Sequence, residues 1–130
     1  MKAPNPQHPF KSRNFLHSLG YAFNGLKATF LTERNFRTHM AIILVVILIA
    51  GFFQVKPIDW AILIFCMTLM VVIETLNTAL EYLVDMWAAG VYNEQAKLVK
   101  DIAAGACLVT AIGVALTGCI IFLPYIQARF

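Results

Sequence analysis

Charge is what this chain has least of. Asp, Glu, Lys and Arg together make up 13% of its 130 residues, about half the share in an ordinary soluble domain. A surface so poor in charge cannot keep a monomer in water. The same composition excludes a disordered chain and a basic arm for nucleic acid, so no nucleic-acid partner is expected. Cysteine is scarce as well. Cys66, Cys107 and Cys119 lie inside apolar runs, are odd in number and lack CxxC spacing, so they read as buried, inert thiols rather than a disulfide scaffold. No Cys/His cluster and no Ser-His-Asp pattern is evident, which leaves a soluble-type hydrolase without support.

Two further absences matter. Met1-Lys2-Ala3-Pro4-Asn5-Pro6 has no apolar stretch of the kind a cleavable signal peptide needs, so the first hydrophobic span is expected to stay in the protein. Gly20-Tyr21-Ala22-Phe23-Asn24-Gly25-Leu26-Lys27 imitates the start of a phosphate-binding loop. Leu26 separates Gly25 from Lys27, however, and no buried strand precedes the segment. Gly20 and Gly25 are expected instead to let a helix approach a neighbour closely.

What the chain has in abundance is apolar surface: 60% of it is hydrophobic, with a mean hydropathy of +0.74. The length suits one small domain. Residues 1–14, with three of the five prolines, are expected to form a flexible tail. Phe15, Leu16, Leu19, Phe23, Leu26 and Phe30 form one stripe, which predicts a helix over 15–31. With basic residues beside aromatic ones it suits the membrane interface, although the same stripe serves a helix packed on the rest of the protein. Three apolar spans follow, at 34–55, 58–86 and 98–124, each long enough to cross a bilayer. Pro124 is expected to end the third. Ala106, Thr110, Gly113 and Thr117 form a small-residue stripe on that span, suited to close helix packing in lipid.

The basic residues orient the spans. Lys2, Lys11, Arg13, Lys27, Arg34 and Arg37 precede the first span, and Lys97 and Lys100 lie between the second and third; Lys56 and Arg129 fall on the other side. Eight of ten therefore share the side that the positive-inside rule assigns to the cytoplasm.

Glu74, Asn77, Glu81 and Asp85 are spaced by three, four and four residues, so they fall within roughly 80° of arc on one helix face. Carboxylates in a membrane helix cost about 2.5–3.5 kcal/mol each even at the low end. Counting from Ile58, Glu74 lies about 24 Å along the helix, just inside the cytoplasmic boundary, with Glu81 and Asp85 nearer water. Together with Glu33, Lys100 and Asp101, the stripe has the chemistry for phosphoryl transfer: hard oxygens for Mg²⁺, a cation for phosphate, a carboxylate for a proton. From spacing alone, the same acids equally serve structural pairing or the ion path of a small oligomeric carrier.

The residues Glu74-Thr75-Leu76-Asn77-Thr78-Ala79-Leu80-Glu81, then Asp85, then Lys100-Asp101-Ile102-Ala103-Ala104-Gly105-Ala106, with Thr32-Glu33-Arg34-Asn35-Phe36-Arg37 ahead of the first span, closely resemble the signature of the bacterial diacylglycerol kinase family, which includes undecaprenol kinases. The likeness runs from about Gly20 to Pro124. It implies an all-α integral membrane fold, with an N-terminal amphipathic surface helix and three transmembrane helices, assembled as a homotrimeric bundle in the bacterial inner membrane. It also implies active sites at the cytoplasmic boundary, shared between subunits. ATP would be the cosubstrate, Mg²⁺ the cofactor and a membrane lipid alcohol the acceptor. By position, Glu74 would be the base or orienting carboxylate. Glu33 and Glu81 would hold Mg²⁺ on the nucleotide, Tyr21, Lys100 and Asp101 would contact nucleotide, and Asn77 and Asp85 would support the site. Asn93 stands where family members often carry His, and Arg13 lies one place from the position of a family Arg, which aligns with Asn14. His39 and the ending Ile120-Ile121-Phe122-Leu123-Pro124 resemble the undecaprenol kinases more than the diacylglycerol kinases of Gram-negative bacteria, so undecaprenol is the expected acceptor and diacylglycerol the alternative.

Overall fold

A computed structural model describes residues 14–129; the expected tail lies almost wholly outside the described residues. Four helices follow one another: α1 (Phe15–Thr32), α2 (Arg34–Phe53), α3 (Pro57–Ala88) and α4 (Glu94–Arg129). The expected all-α architecture is present, and α2, α3 and α4 are each long and apolar enough to cross a membrane.

Each junction has a local cause. Between α1 and α2 stands one extended residue, Glu33, whose N–H donates to Thr29 O at 2.8 Å. The last carbonyls of α1 have no helical donors, and Arg37 supplies them: its Nη1 donates to Phe30 O at 3.1 Å and Leu31 O at 3.0 Å. Phe30 and Phe36 meet edge to face across the same elbow. At the other end of α2, Gln54 adopts a left-handed conformation, φ 50°. There Gln54 N–H donates to Gly51 O and Val55 N–H to Ala50 O, which satisfies two further orphan carbonyls. Pro57 then opens α3, where its missing N–H costs nothing.

α3 runs 32 residues without glycine or an internal proline until Ala89 and Gly90, both left-handed, turn the chain. Asn93 starts α4: its Oδ1 accepts from Gln95 N at 2.8 Å and Ala96 N at 3.1 Å, a side-chain cap on the helix. α4 departs from expectation at both ends. It begins at Glu94 rather than 98, because of that cap, and Pro124 lies inside it rather than ending it. A helix interior resists proline because one backbone bond is lost, but here the turn beyond it is held from outside. The Tyr125 hydroxyl donates to Asp59 and accepts from the Lys56 N–H at 3.0 Å, while the Arg129 guanidinium lies 4.2 Å above the Phe52 ring.

At 1.5 Å per residue the 20 residues of α2 measure about 30 Å, and the 32 of α3 and 36 of α4 about 48 and 54 Å. A hydrocarbon core of about 30 Å is therefore matched by α2 alone. Since α2 and α3 share a tight turn at Lys56, the excess of α3 projects at its other end, where the acids are.

The α3–α4 pairing is the most extensive; α2 lies on α3, and α1 touches both α2 and α3. The apolar core sits near the Lys56 turn, where Ala50, Val55, Leu63 and Ile121 are buried among Val46, Phe53, Trp60, Met67, Phe122 and Tyr125. Outside it the helices remain bare: only 6% of the apolar window of α4 is buried within the chain. Lipid or other chains must cover the rest. The small-residue stripe is only partly turned inward within the chain. Thr110 and Thr117 are half-buried, but Ala106 and Gly113 are exposed and accept the two threonine hydroxyls through their carbonyls. Among the described residues, a Cβ at Gly20, Gly25 or Gly113 would meet nothing within 4 Å, so none of the three is needed for close packing against those residues.

Tyr125→Phe removes the hydroxyl that ties the end of α4 to the start of α3. It should destabilise the fold by about 1–2 kcal/mol, read as a lower thermal midpoint in detergent; an unchanged midpoint would mean that the turn after Pro124 is held by other contacts.

Candidate active site

On α3 the inward positions alternate by four and three: Leu63, Met67, Met70, Glu74, Asn77, Glu81 and Val84 are all buried or half-buried. On α4 the matching run is Ala96, Lys100, Ala103, Cys107, Thr110, Val114, Thr117 and Ile121. A 3.5-residue repeat keeps two long helices in register along one seam. The acids of α3 therefore continue the apolar core face. Glu74 is only 3% exposed, as buried as Leu63. Asn77 and Glu81 are half-buried, and Asp85, one place round from buried Val84, is exposed.

Local hydrogen bonds fix this stretch. Thr78 Oγ1 donates to the Glu74 carbonyl at 3.0 Å, and Asn77 Nδ2 donates to Glu81 Oε1 at 3.1 Å. Asn77 Oδ1 is buried and, among the described residues, has no hydrogen-bond partner. An orphaned buried acceptor is uncommon in a finished core and marks a place where a ligand or another chain brings a donor. From α4, Cys107 Sγ reaches the Ile73 carbonyl at 3.9 Å.

Toward the α3–α4 turn, Lys100 Nζ pairs with Asp85 Oδ1 at 2.5 Å, and Lys97 pairs with Asp101 one turn along α4. An apolar cleft of about 380 Å³ opens beside these pairs, lined by Leu83, Val84, Trp87, Gln95, Ala96 and Val99.

The structure thus gathers Glu74, Asn77 and Glu81 on one seam and couples Asp85 to Lys100. Among the described residues, two other expected residues make no hydrogen bond or ion pair with this set. Glu33 is half-buried at the α1–α2 elbow, where the Thr32 hydroxyl donates to its Oε1 at 3.2 Å, and Tyr21 is exposed on α1. Among the described residues, no group of three or more His, Cys, Asp and Glu side chains is placed to hold a metal ion. The structure adds to the sequence reading of two residues beside the site. Cys107 reads as an inert thiol from its apolar run, and counting by fours and threes from Lys100 also puts it on the seam. Arg37, a topological charge and part of the Thr32–Arg37 segment in the sequence, also closes the elbow that carries Glu33.

A family description, prokaryotic diacylglycerol kinase, matches residues 20–122, which include Tyr21, Glu33, Glu74, Asn77, Glu81, Lys100 and Asp101. The chain belongs to the prokaryotic diacylglycerol kinase family. Members are lipid kinases, alcohol phosphotransferases of the membrane. The chain is 40% identical to a diacylglycerol kinase of Synechocystis over 111 residues, covering 85% of this chain and 63% of that longer protein. It is 35% identical to the undecaprenol kinase of Bacillus subtilis over 117 residues, 90% of this chain and 94% of that one. To the diacylglycerol kinase of Escherichia coli it is 31% identical over 106 residues, 82% and 86% of the two chains. Family membership decides against an ion carrier. It also gives the Asn93 departure a local meaning, because in this chain that residue caps α4.

The Asp85–Lys100 pair is substantially exposed, with side chains 64% and 36% accessible. Such pairs contribute at most about 1 kcal/mol. Asp85→Asn should therefore leave the thermal midpoint almost unmoved; a large drop would make the pair a main tie between α3 and α4.

Proposed function

We propose that the chain is an ATP- and Mg²⁺-dependent lipid kinase that phosphorylates the primary hydroxyl of a membrane lipid alcohol, with undecaprenol as the acceptor. The observation that carries the reading is the buried residue Glu74 on the seam, 3% exposed and three residues before Asn77, whose amide oxygen has no partner among the described residues. In a lipid-facing helix such a group is costly, and chemistry is the usual reason to keep it. Glu74 orients the acceptor hydroxyl and takes its proton as the alcohol oxygen bonds to the γ-phosphorus and ADP departs.

The donors suit a hard cation: Glu81 and Glu33 offer carboxylates, and Asn77 Oδ1 is, among the described residues, an oxygen without a donor. Glu33 and Glu81 would hold Mg²⁺, which neutralises phosphate charge when bound. Tyr21 and Asp101 contact the nucleotide, and Lys100 exchanges Asp85 for a phosphate. Asn77 holds Glu81 in place through its amide hydrogen bond. The homotrimer supplies what one chain lacks: Glu33 and Glu81 belong to different parts of the chain, and a neighbouring subunit brings them to one nucleotide. The largely bare outer faces of the helices support such an assembly. The setting is the bacterial inner membrane, with the N-terminus and the site in the cytoplasm, as the bias of basic residues supports.

The undecaprenol assignment is favoured by the nearly end-to-end match to an undecaprenol kinase. The diacylglycerol reading is favoured by the higher identity to a diacylglycerol kinase. Purified protein given undecaprenol and diacylglycerol in one detergent with radiolabelled ATP should label undecaprenol faster; faster labelling of diacylglycerol selects the second reading. Glu74→Gln should lower either labelling by at least about a hundredfold, at the low end for a lost acid–base group, and full labelling would remove Glu74 from its role. With Glu81→Gln the Mg²⁺ requirement should rise or activity vanish; an unchanged metal dependence would contradict the ligand assignment.

A further inference from the structure

Two cations, Lys56 and Arg129, stand at the end of the bundle opposite the acids, on the side that the other basic residues avoid. They come from distant parts of the sequence, yet the fold brings both to one corner. Tyr125 is the link. Its hydroxyl accepts the Lys56 N–H at 3.0 Å, and Arg129 follows it by one turn of α4. The Arg129 guanidinium in turn lies 4.2 Å above the ring of Phe52, in the last turn of α2.

Among the described residues neither cation has a carboxylate partner; the ion pairs there are Lys97–Asp101 and Lys100–Asp85. The acid of this corner, Asp59, is engaged otherwise. It accepts the Tyr125 hydroxyl and stands in the first turn of α3, where it offsets the positive helix end. A guanidinium stacked on a ring keeps its N–H donors free in its own plane, a fork that fits phosphate oxygens. The surroundings suit a lipid. α2 alone matches the thickness of the hydrocarbon core, so the turn that follows it lies at the membrane boundary. Phe52 and Ile58 are exposed there and Trp60 is half-buried, which puts apolar and aromatic surface directly beside the cations.

We propose that Lys56 and Arg129 clasp the phosphate of an anionic phospholipid headgroup at this boundary, with its acyl chains passing Phe52 and Ile58. The lipid then joins α2, α3 and α4 at the turn. It takes no part in phosphoryl transfer, and the clasp does not depend on the kinase reading.

The sequence has two tryptophans, Trp60 at this corner and Trp87 near the far end of α3. Trp87→Phe therefore leaves a fluorophore beside the clasp. Full-length protein with that substitution is placed in phosphatidylcholine bilayers containing a lipid with brominated chains, whose bromines quench nearby indole. Brominated phosphatidylglycerol should quench Trp60 with an association constant roughly fivefold above that of brominated phosphatidylcholine, the size of one close cation–headgroup attraction. Adding Lys56→Gln and Arg129→Gln together should bring that ratio to about one, and each alone should lower it. The single variants carry the same test if the double variant has a depressed thermal midpoint. Arg129→Lys, which keeps the charge and loses the fork, should fall between the parent and Arg129→Gln. Lys27→Gln, a cation of α1, should leave the ratio unchanged. A parent ratio of one would overturn the proposal, as would a ratio retained in well-folded clasp variants. An equal loss in Lys27→Gln would also overturn it, since the preference would then belong to net charge. Displacement of the brominated lipid by sn-glycerol 3-phosphate would assign the corner to a soluble phosphate ester and overturn the lipid assignment.

Discussion

A carboxylate held on the inward face of a helix in an apolar bundle is unfavourable by several kcal/mol unless something compensates. Glu74 is in that position, continuing the stripe of Leu63, Met67 and Met70 that packs against α4. The rest of the molecule accommodates that placement. The α3–α4 seam keeps the side chain inward, and Thr78 Oγ1 donates to the Glu74 backbone carbonyl. The polar stripe then rises through Asn77 and Glu81 to the exposed Asp85–Lys100 pair. Buried acid and open, charged helix end are one continuous surface, which suits a reaction joining a lipid to a water-soluble nucleotide.

Stability and the proposed chemistry occupy opposite ends. Near the Lys56 turn the chain has its buried apolar cluster, a satisfied helix end and the Tyr125 tie to Asp59 and Lys56. The acid-bearing end has an orphaned amide oxygen and surface ion pairs of small energetic worth. This is the division expected where one end of a bundle must admit ligands and the other must hold it together.

Much of this was legible in the residues. The 3–4 spacing of Glu74, Asn77, Glu81 and Asp85 placed them on one face, and the apolar runs marked the three long helices. Which way that face pointed was not legible, because spacing defines a stripe but not its partner; the burial of Glu74 follows only from packing α4 against it. The small-residue stripe shows the same gap, since Ala106 and Gly113 lie one place off the seam that Cys107, Thr110 and Thr117 occupy within the chain. Pro124 misled for a related reason: a local rule for ending helices was overridden by Tyr125 and Arg129, whose partners lie more than sixty residues away. Asn93 was the converse, a residue whose capping chemistry is local and readable, yet its weight went to the family comparison.

The central claim is that Glu74 is kept for chemistry at a cost to the fold. Thermal unfolding of Glu74→Leu in detergent tests it directly, because leucine fills a similar volume on an apolar seam without a buried carboxylate. The account predicts a midpoint above that of the wild type. A clearly lower midpoint would show that the carboxylate is a structural tie between α3 and its neighbours, and would contradict the account.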